Sequence, residues 1–263
     1  MIILLTGTVS PDGMFDTKLQ NPDLRKKQYI EAIDFYLRET DLKIVFCENT
    51  CTNFFYEINS DHKYDRLEFI TFNGNDYPKE FGKGYGEAKI IHYVIKHSRF
   101  LQNDNFFIKI TGRVKILNIH DIISQFLELS HDINTIMIEL CYNNHARSVC
   151  YITSKQWMYE TLMLYSNKLN DSKAYYFERM MFQSILNSKK IRIKPCFAKI
   201  EGISGTFLTK YENYPLIQIK VNHYNTLCIL YKSRNERLRY LIAKINWYYN
   251  LVLRKVFIWL KLI

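Results

Sequence analysis

The stretch Phe106-Phe107-Ile108-Lys109-Ile110-Thr111-Gly112-Arg113 decides the fold. An apolar run of strand length stops at a small-residue turn, and a fixed positive charge follows. In open α/β sheets, ligands bind outside the carboxyl ends of the strands. Arg113 therefore stands where a phosphate or carboxylate would lie, and a guanidinium fork matches both. Taken alone, an arginine after a strand is more often an ordinary solvated loop residue, and its weight comes from the runs upstream.

Three further runs upstream repeat the pattern. Ile2-Ile3-Leu4-Leu5 ends in Thr6-Gly7-Thr8, and Pro11-Asp12-Gly13 makes a turn behind it. Leu42 to Cys47 ends in Glu48-Asn49, and Leu67 to Phe72 ends in Asn73-Gly74-Asn75. Helical periodicity separates the runs: Leu24 to Arg38 places Tyr29, Ile33, Tyr36 and Leu37 on one face, and Glu87 to His97 places Ile90, Ile91, Val94 and Ile95. Strand, helix, strand at this spacing predicts βαβ units and a mostly parallel α/β sheet flanked by helices. The polar strand ends then gather along one edge and form a crevice.

At 263 residues the chain is long enough for one full α/β domain, expected over 1–231, with an appendage over 232–263. Cys47, Cys51, Cys141, Cys150, Cys196 and Cys228 are scattered, without zinc spacing, and read as buried thiols of a reducing cytosol. The apolar start is too short for a signal peptide and lacks a basic flank. The net charge of +10 is concentrated: residues 232–263 carry eight Lys or Arg and one acid, Glu236. Trp247, Tyr248, Phe257, Trp259 and several Leu, Ile and Val interleave with those cations at helical spacing. The segment is too interrupted by polar residues to span a bilayer. It reads as a basic amphipathic helix lying on an anionic membrane surface, with packing of the tail on the domain as the alternative. A nucleic-acid partner is not expected, because no recognition motif accompanies the charge.

Together Thr6-Gly7-Thr8, Phe46-Cys47-Glu48-Asn49, Phe72-Asn73-Gly74-Asn75, Gly82-Lys83-Gly84-Tyr85-Gly86-Glu87 and Lys109 to Arg113 resemble bacterial capsule and O-antigen (lipopolysaccharide) glycosyltransferases of GT-A-like, Rossmann-type fold. Pro195 and Gly202-Ile203-Ser204-Gly205-Thr206 fit the same picture, over roughly residues 1 to 211. The resemblance implies a nucleotide-sugar donor, UDP-linked, and a lipid-linked or growing surface-polysaccharide acceptor. It also implies work in the bacterial cytoplasm, on the inner face of the membrane. The group's metal signature Asp-x-Asp is missing from this chain, so a role for Mg²⁺ or Mn²⁺ is left open.

The chemistry can be assigned to residues independently. A departing nucleoside diphosphate needs its charge stabilised, and Arg113 and Lys83 are the cationic candidates. Gly82-x-Gly84-x-Gly86 precedes a helical pattern and is read as an anion-binding N-terminus or as a flexible loop. Thr6, Gly7, Thr8, Asn73, Thr111 and Gly112 line the donor side, with Glu48 and Asn49 placed for ribose or base, or else for capping the next segment. Inverting transfer needs a carboxylate to take the acceptor's proton. Glu178, the one acid in Ala174 to Phe182, is the leading candidate, with solvation or an ion pair to Arg179 as the plain alternative. Glu139 and Glu87 are acceptor-side candidates. Another nucleotide-binding transferase, or a non-catalytic peripheral membrane protein, are the competing classes.

Overall fold

A computed structural model describes residues 1–128, 132–141, 144–211 and 214–260. Among them the main sheet has seven strands: β1 (Ile2–Gly7), β2 (Ile44–Glu48), β3 (Leu67–Thr71), β4 (Phe106–Thr111), β5 (Thr135–Met137), β6 (Cys150–Ser154) and β7 (Arg192–Lys194). Their spatial order is β7-β5-β6-β4-β1-β2-β3, and only β6 runs antiparallel to its neighbours. The expected mixed α/β architecture with a mostly parallel central sheet is therefore what the chain adopts. Strand β3 stops at Thr71, one residue short of the apolar run, and β2 begins two residues inside it. Each difference lies at an end, where pairing to the neighbour rather than apolarity sets the limit.

Alternation in β1 explains why helices cover both faces. Ile2 and Leu4 point into one core with Val45, Cys47 and Phe107, while Ile3 and Leu5 point into the other with Ile44, Phe46 and Ile108. A central parallel strand buried on both faces reads as an unbroken apolar run, as β1 does. Helices α1 (Pro22–Glu39) and α2 (Ile119–Leu127) contribute to the second core. Helices α3 (Gly82–His97), α4 (Lys155–Tyr165) and α5 (Phe177–Asn187) contribute to the first.

Helix α1 starts at Pro22 because Asn21 Oδ1 accepts the Leu24 amide at 2.9 Å and proline suits the first turn. Its buried face is the predicted one, extended back by one turn to Arg25. Helix α3 begins earlier than its apolar pattern suggests. Gly82, Gly84 and Gly86 are not a loop before the helix; they are buried within its first turns.

The C-terminal segment is a helical hairpin, α6 (Leu216–Ser233) and α7 (Arg237–Trp259). The 231/232 division expected from charge thus falls in the last turn of α6. Helix α6 docks on the domain: His223 Nδ1 accepts the Leu140 amide at 3.0 Å, and Thr226 Oγ1 donates to the Cys141 carbonyl at 3.1 Å. Burial pushes the His223 imidazole down to about 3, so it stays the neutral acceptor this contact requires. Helix α7 leans on α6 through Ala243 and Asn250, while Leu238, Ile245, Val252 and Trp259 on its other sides are exposed. No described helix is long and apolar enough to cross a membrane, and Lys261 lies outside the described residues. The cysteines are all free; four are buried, but Cys141 is only half-buried and Cys51 is exposed, which corrects the expectation of buried thiols. Cys51 sits at a left-handed turn (φ 57°) just beyond β2, where its side chain turns outward.

Candidate functional site

The carboxyl ends of β1 and β4 lie side by side, Thr6 opposite Thr111, and Gly112 donates its amide to the Thr6 carbonyl at 3.0 Å. A Cβ on Gly112 would fall 2.7 Å from that carbonyl oxygen, so glycine is what lets the two turns close. Directly outside this edge is a cleft whose lining includes Thr6, Gly7, Thr8, Thr111, Arg113, Lys83, Glu87 and Glu178 of the sequence-derived candidates.

One wall is basic. Arg113 is 9% exposed and Arg25 6%. Arg113 Nη1 donates to Gln28 Oε1 at 2.9 Å and to the Ile203 carbonyl at 3.4 Å. Arg25 donates from Nε to the Thr8 carbonyl at 2.7 Å, from Nη1 to the Leu19 carbonyl at 3.0 Å and from Nη2 to Tyr29 Oη at 3.4 Å. All of these acceptors are neutral. Among the described residues, neither guanidinium has a carboxylate within ion-pair distance. Burial, and after it the charge of Arg25, lowers the pKa of Arg113. Two buried cations set close together without a counter-ion are costly, and an anion would relieve the cost.

The opposite wall is acidic. Glu87 on α3 is ion-paired with Lys109 of β4, whose Nζ also donates to the Ser148 carbonyl at 2.8 Å. Burial raises the Glu87 pKa, and Lys109 opposes that shift. Glu178, in the first turn of α5, accepts the Ser148 hydroxyl at 2.6 Å. Its neighbour Arg179 turns away to the Ala174 carbonyl at 3.1 Å and does not pair with it. Asp171, only 3% exposed, completes this wall. A strap spanning residues 203–210 crosses above: Ile203 bridges Lys210, Gly205 accepts the Lys18 and Leu19 amides at 2.9 and 3.1 Å, and Thr206 Oγ1 accepts from Lys83 Nζ.

Five candidates lie outside the lining: Gly112, which closes its turn against Thr6, and Glu48, Asn49, Asn73 and Glu139. Glu48 is fully buried, and its carboxylate accepts the Val9, Thr50 and Thr52 amides at 3.1, 2.8 and 2.9 Å and the Thr71 hydroxyl at 3.1 Å. It ties together the loops after β1 and β2. Asn49 Oδ1 accepts the Thr8 hydroxyl at 2.8 Å and supports the lining from behind. Asn73 is exposed and bridges Thr50. Glu139 pairs with Arg147 at 3.4 Å. Conversely, Arg25, Tyr29, Ser148, Asp171 and Tyr211 line the cleft although the sequence reading passed over them. Arg25 had a signal: it precedes Tyr29 by one helical turn and continues the buried face of α1.

A divalent cation needs a cage of oxygen ligands. No group of three or more His, Cys, Asp or Glu side chains stands together as a metal site among the described residues.

No protein-family model matches the chain, and no curated protein matches it. Among solved structures it is similar to the glycosyltransferase GlyE of Streptococcus pneumoniae TIGR4, at 10% identity over 74% of this chain and 46% of that one, with a TM-score of 0.46. It is also similar to the inositol-1-phosphate CTP transferase of T. maritima, at 8% identity over 77% and 89% of the two chains and a TM-score of 0.46. A third is a glycosyltransferase involved in glycosylation of the major capsid of PBCV-1, at 11% identity over 74% and 82%, with a TM-score of 0.40. At these identities and scores the likeness ends at the outline of the fold.

Proposed function

We propose that the protein is an inverting glycosyltransferase that moves a sugar from a nucleotide-sugar donor, UDP-linked, to a lipid-linked or growing surface-polysaccharide acceptor. The observation that carries this reading is the pair of buried, uncompensated guanidiniums, Arg25 and Arg113, beside the carboxyl ends of β1 and β4. A diphosphate supplies the missing negative charge, and two forks match its oxygens. In the reaction an acceptor hydroxyl attacks the anomeric carbon as the bond to the diphosphate breaks. Glu178 takes the hydroxyl's proton, and the electron pair leaves with the diphosphate. Arg113, Arg25 and Lys83 stabilise that charge as it develops. Thr6, Gly7, Thr8, Thr111 and Gly112 form the donor floor, and Glu87 and Glu178 face the acceptor.

The exposed apolar side of α7, rich in Tyr and Trp and flanked by Arg237, Lys244, Arg254 and Lys255, supports attachment to the inner face of a bacterial membrane. There it would hold the cleft near a lipid-linked acceptor. Isothermal calorimetry with UDP, GDP and dTDP tests the donor reading. Binding of one of them that is lost in Arg113→Ala is expected; no heat from any nucleoside diphosphate or nucleotide sugar would refute it.

A further inference from the structure

Asp171 has no part in the mechanism above, yet the fold makes room for it at some cost. It lies in the short turn Asp171–Lys173 between α4 and α5 and packs on the first turn of α3. A Cβ on Gly82 would fall 2.2 Å from Asp171 Oδ2, and one on Gly84 would fall 2.9 Å from Oδ1. Gly82 also takes φ +75°, which favours glycine. The glycines that look in sequence like a phosphate loop therefore seat a carboxylate of the protein itself.

Only half of that carboxylate is satisfied. Oδ2 accepts the Gly84 amide at 3.3 Å, whereas Oδ1 is buried with no hydrogen-bond partner. Burial pushes the acid up to about 6, against the pull of the Gly84 amide and of Lys83. The charged and titratable groups facing it are Lys83 on α3, Glu178 on α5, Asp16 in the loop before α1, and the Tyr77 hydroxyl. Lys83 Nζ donates a hydrogen bond to Thr206 Oγ1 and makes none to Asp171, and Tyr77 points its hydroxyl to the Gly82 carbonyl at 3.2 Å and to Met14 Sδ at 3.6 Å. Among the described residues, none supplies the missing donor. A buried acceptor on a cleft wall without a donor calls for one from a ligand.

We infer that Asp171 receives hydroxyl groups of the transferred sugar, on the wall facing the guanidiniums. The inference rests on the nucleotide-sugar reading and adds to it the subsite for the sugar. A hexosyl group is a ring of hydroxyl donors, and the diphosphate that carries it belongs to the opposite, basic wall. The two walls thus sort one ligand by charge: the anion towards Arg25 and Arg113, the neutral hydroxyls towards Asp171.

The test compares a nucleoside diphosphate with its own sugar conjugate. UDP with UDP-glucose, UDP-galactose and UDP-N-acetylglucosamine, and GDP with GDP-mannose, are titrated into wild type, Asp171→Asn and Asp171→Ala at about pH 7.5. Both variants should bind the nucleoside diphosphate as wild type does. They should bind its sugar conjugate at least about tenfold more weakly, the effect of losing a hydrogen bond to a charged group. Equal weakening of both ligands would assign Asp171 only to holding α3 in place and overturn the inference. So would an unchanged affinity for the sugar conjugate. If wild type binds neither kind of ligand, the donor reading itself fails, and that outcome is distinct because no variant is needed to see it.

Discussion

Replacing Asp171 by asparagine should make the unliganded protein more stable, and the gain should depend on pH. The carboxyl is raised in the folded state from an ordinary value of 3.8 to about 6. Folding therefore favours its protonated form, and asparagine mimics that form at every pH. An acid with a raised folded pKa binds more protons folded than unfolded between the two values, so its contribution to stability falls as pH rises through that window. A rise of about two units corresponds to about 3 kcal/mol at 1.36 kcal/mol per unit. Summed over both titrations, Asp171→Asn should exceed wild type by about 1 kcal/mol at about pH 4.5 and by about 3 kcal/mol at about pH 7.5. For a chain of this size that is a Tm difference of roughly 6–12 °C at the higher pH. Urea denaturation at four pH values, taken as the difference between variant and wild type, isolates this group from the others that titrate. A difference that stays flat with pH, or a variant less stable than wild type at about pH 7.5, would show that Asp171 is comfortable as a buried anion. The case for an unsatisfied acceptor would then collapse.

Other outcomes follow from the two walls and the tail. Arg113→Ala should abolish transfer while keeping the fold, and Arg113→Lys should restore it only in part because the bidentate fork is gone; full activity in the alanine variant would make Arg113 a structural residue. Arg25→Met should weaken nucleoside diphosphate binding at least about tenfold, as expected for a charge-assisted contact. The same change should also lower thermal stability, since it takes the donor from the Thr8 and Leu19 carbonyls, and a loss of Tm without loss of binding would count against the cradle. Glu178→Gln should lower turnover about a hundredfold, the low end for removing a general base, with donor affinity unchanged. Truncation after Ser233 should abolish sedimentation with anionic vesicles; persistent pelleting would mean that some other surface holds the lipid.

The sheet was legible because its information is local. Each of β1, β2, β3 and β4 is a short apolar run closed by small polar residues, and a strand buried on both faces needs nothing more to be visible. Strands β5 and β7 were not legible, since Thr135–Met137 and Arg192–Lys194 are three residues long and acquire strand character only by pairing with each other and, for β5, with β6. Helix α3 was seen from Glu87 onward because the apolar repeat starts there. Its glycine-rich beginning has no periodicity to show, and the Asp171 carboxylate that its Gly84 amide meets comes from 87 residues away.

That distance also explains which parts of the cleft a one-dimensional reading finds. Thr6, Thr111 and Arg113 sit at the ends of visible strands, so topology delivers them to one edge. Glu48 sits at such an end as well, yet its oxygens face the loops that flank it, and strand position alone does not tell a ligand-facing carboxylate from a structural one. Arg25 and Asp171 show the reverse. An arginine on the buried face of a helix and an aspartate in a short turn look unremarkable in sequence, because what sets them apart is the absence of a partner. Among the described residues Arg25 lacks an acid and Asp171 Oδ1 lacks a donor, and such a deficit appears only when every neighbour has been placed. Both residues line the same cleft, and their deficits have opposite sign. A ligand carrying negative charge at one end and hydroxyl donors at the other would answer both, and for that reason the ligand we propose is a sugar nucleotide.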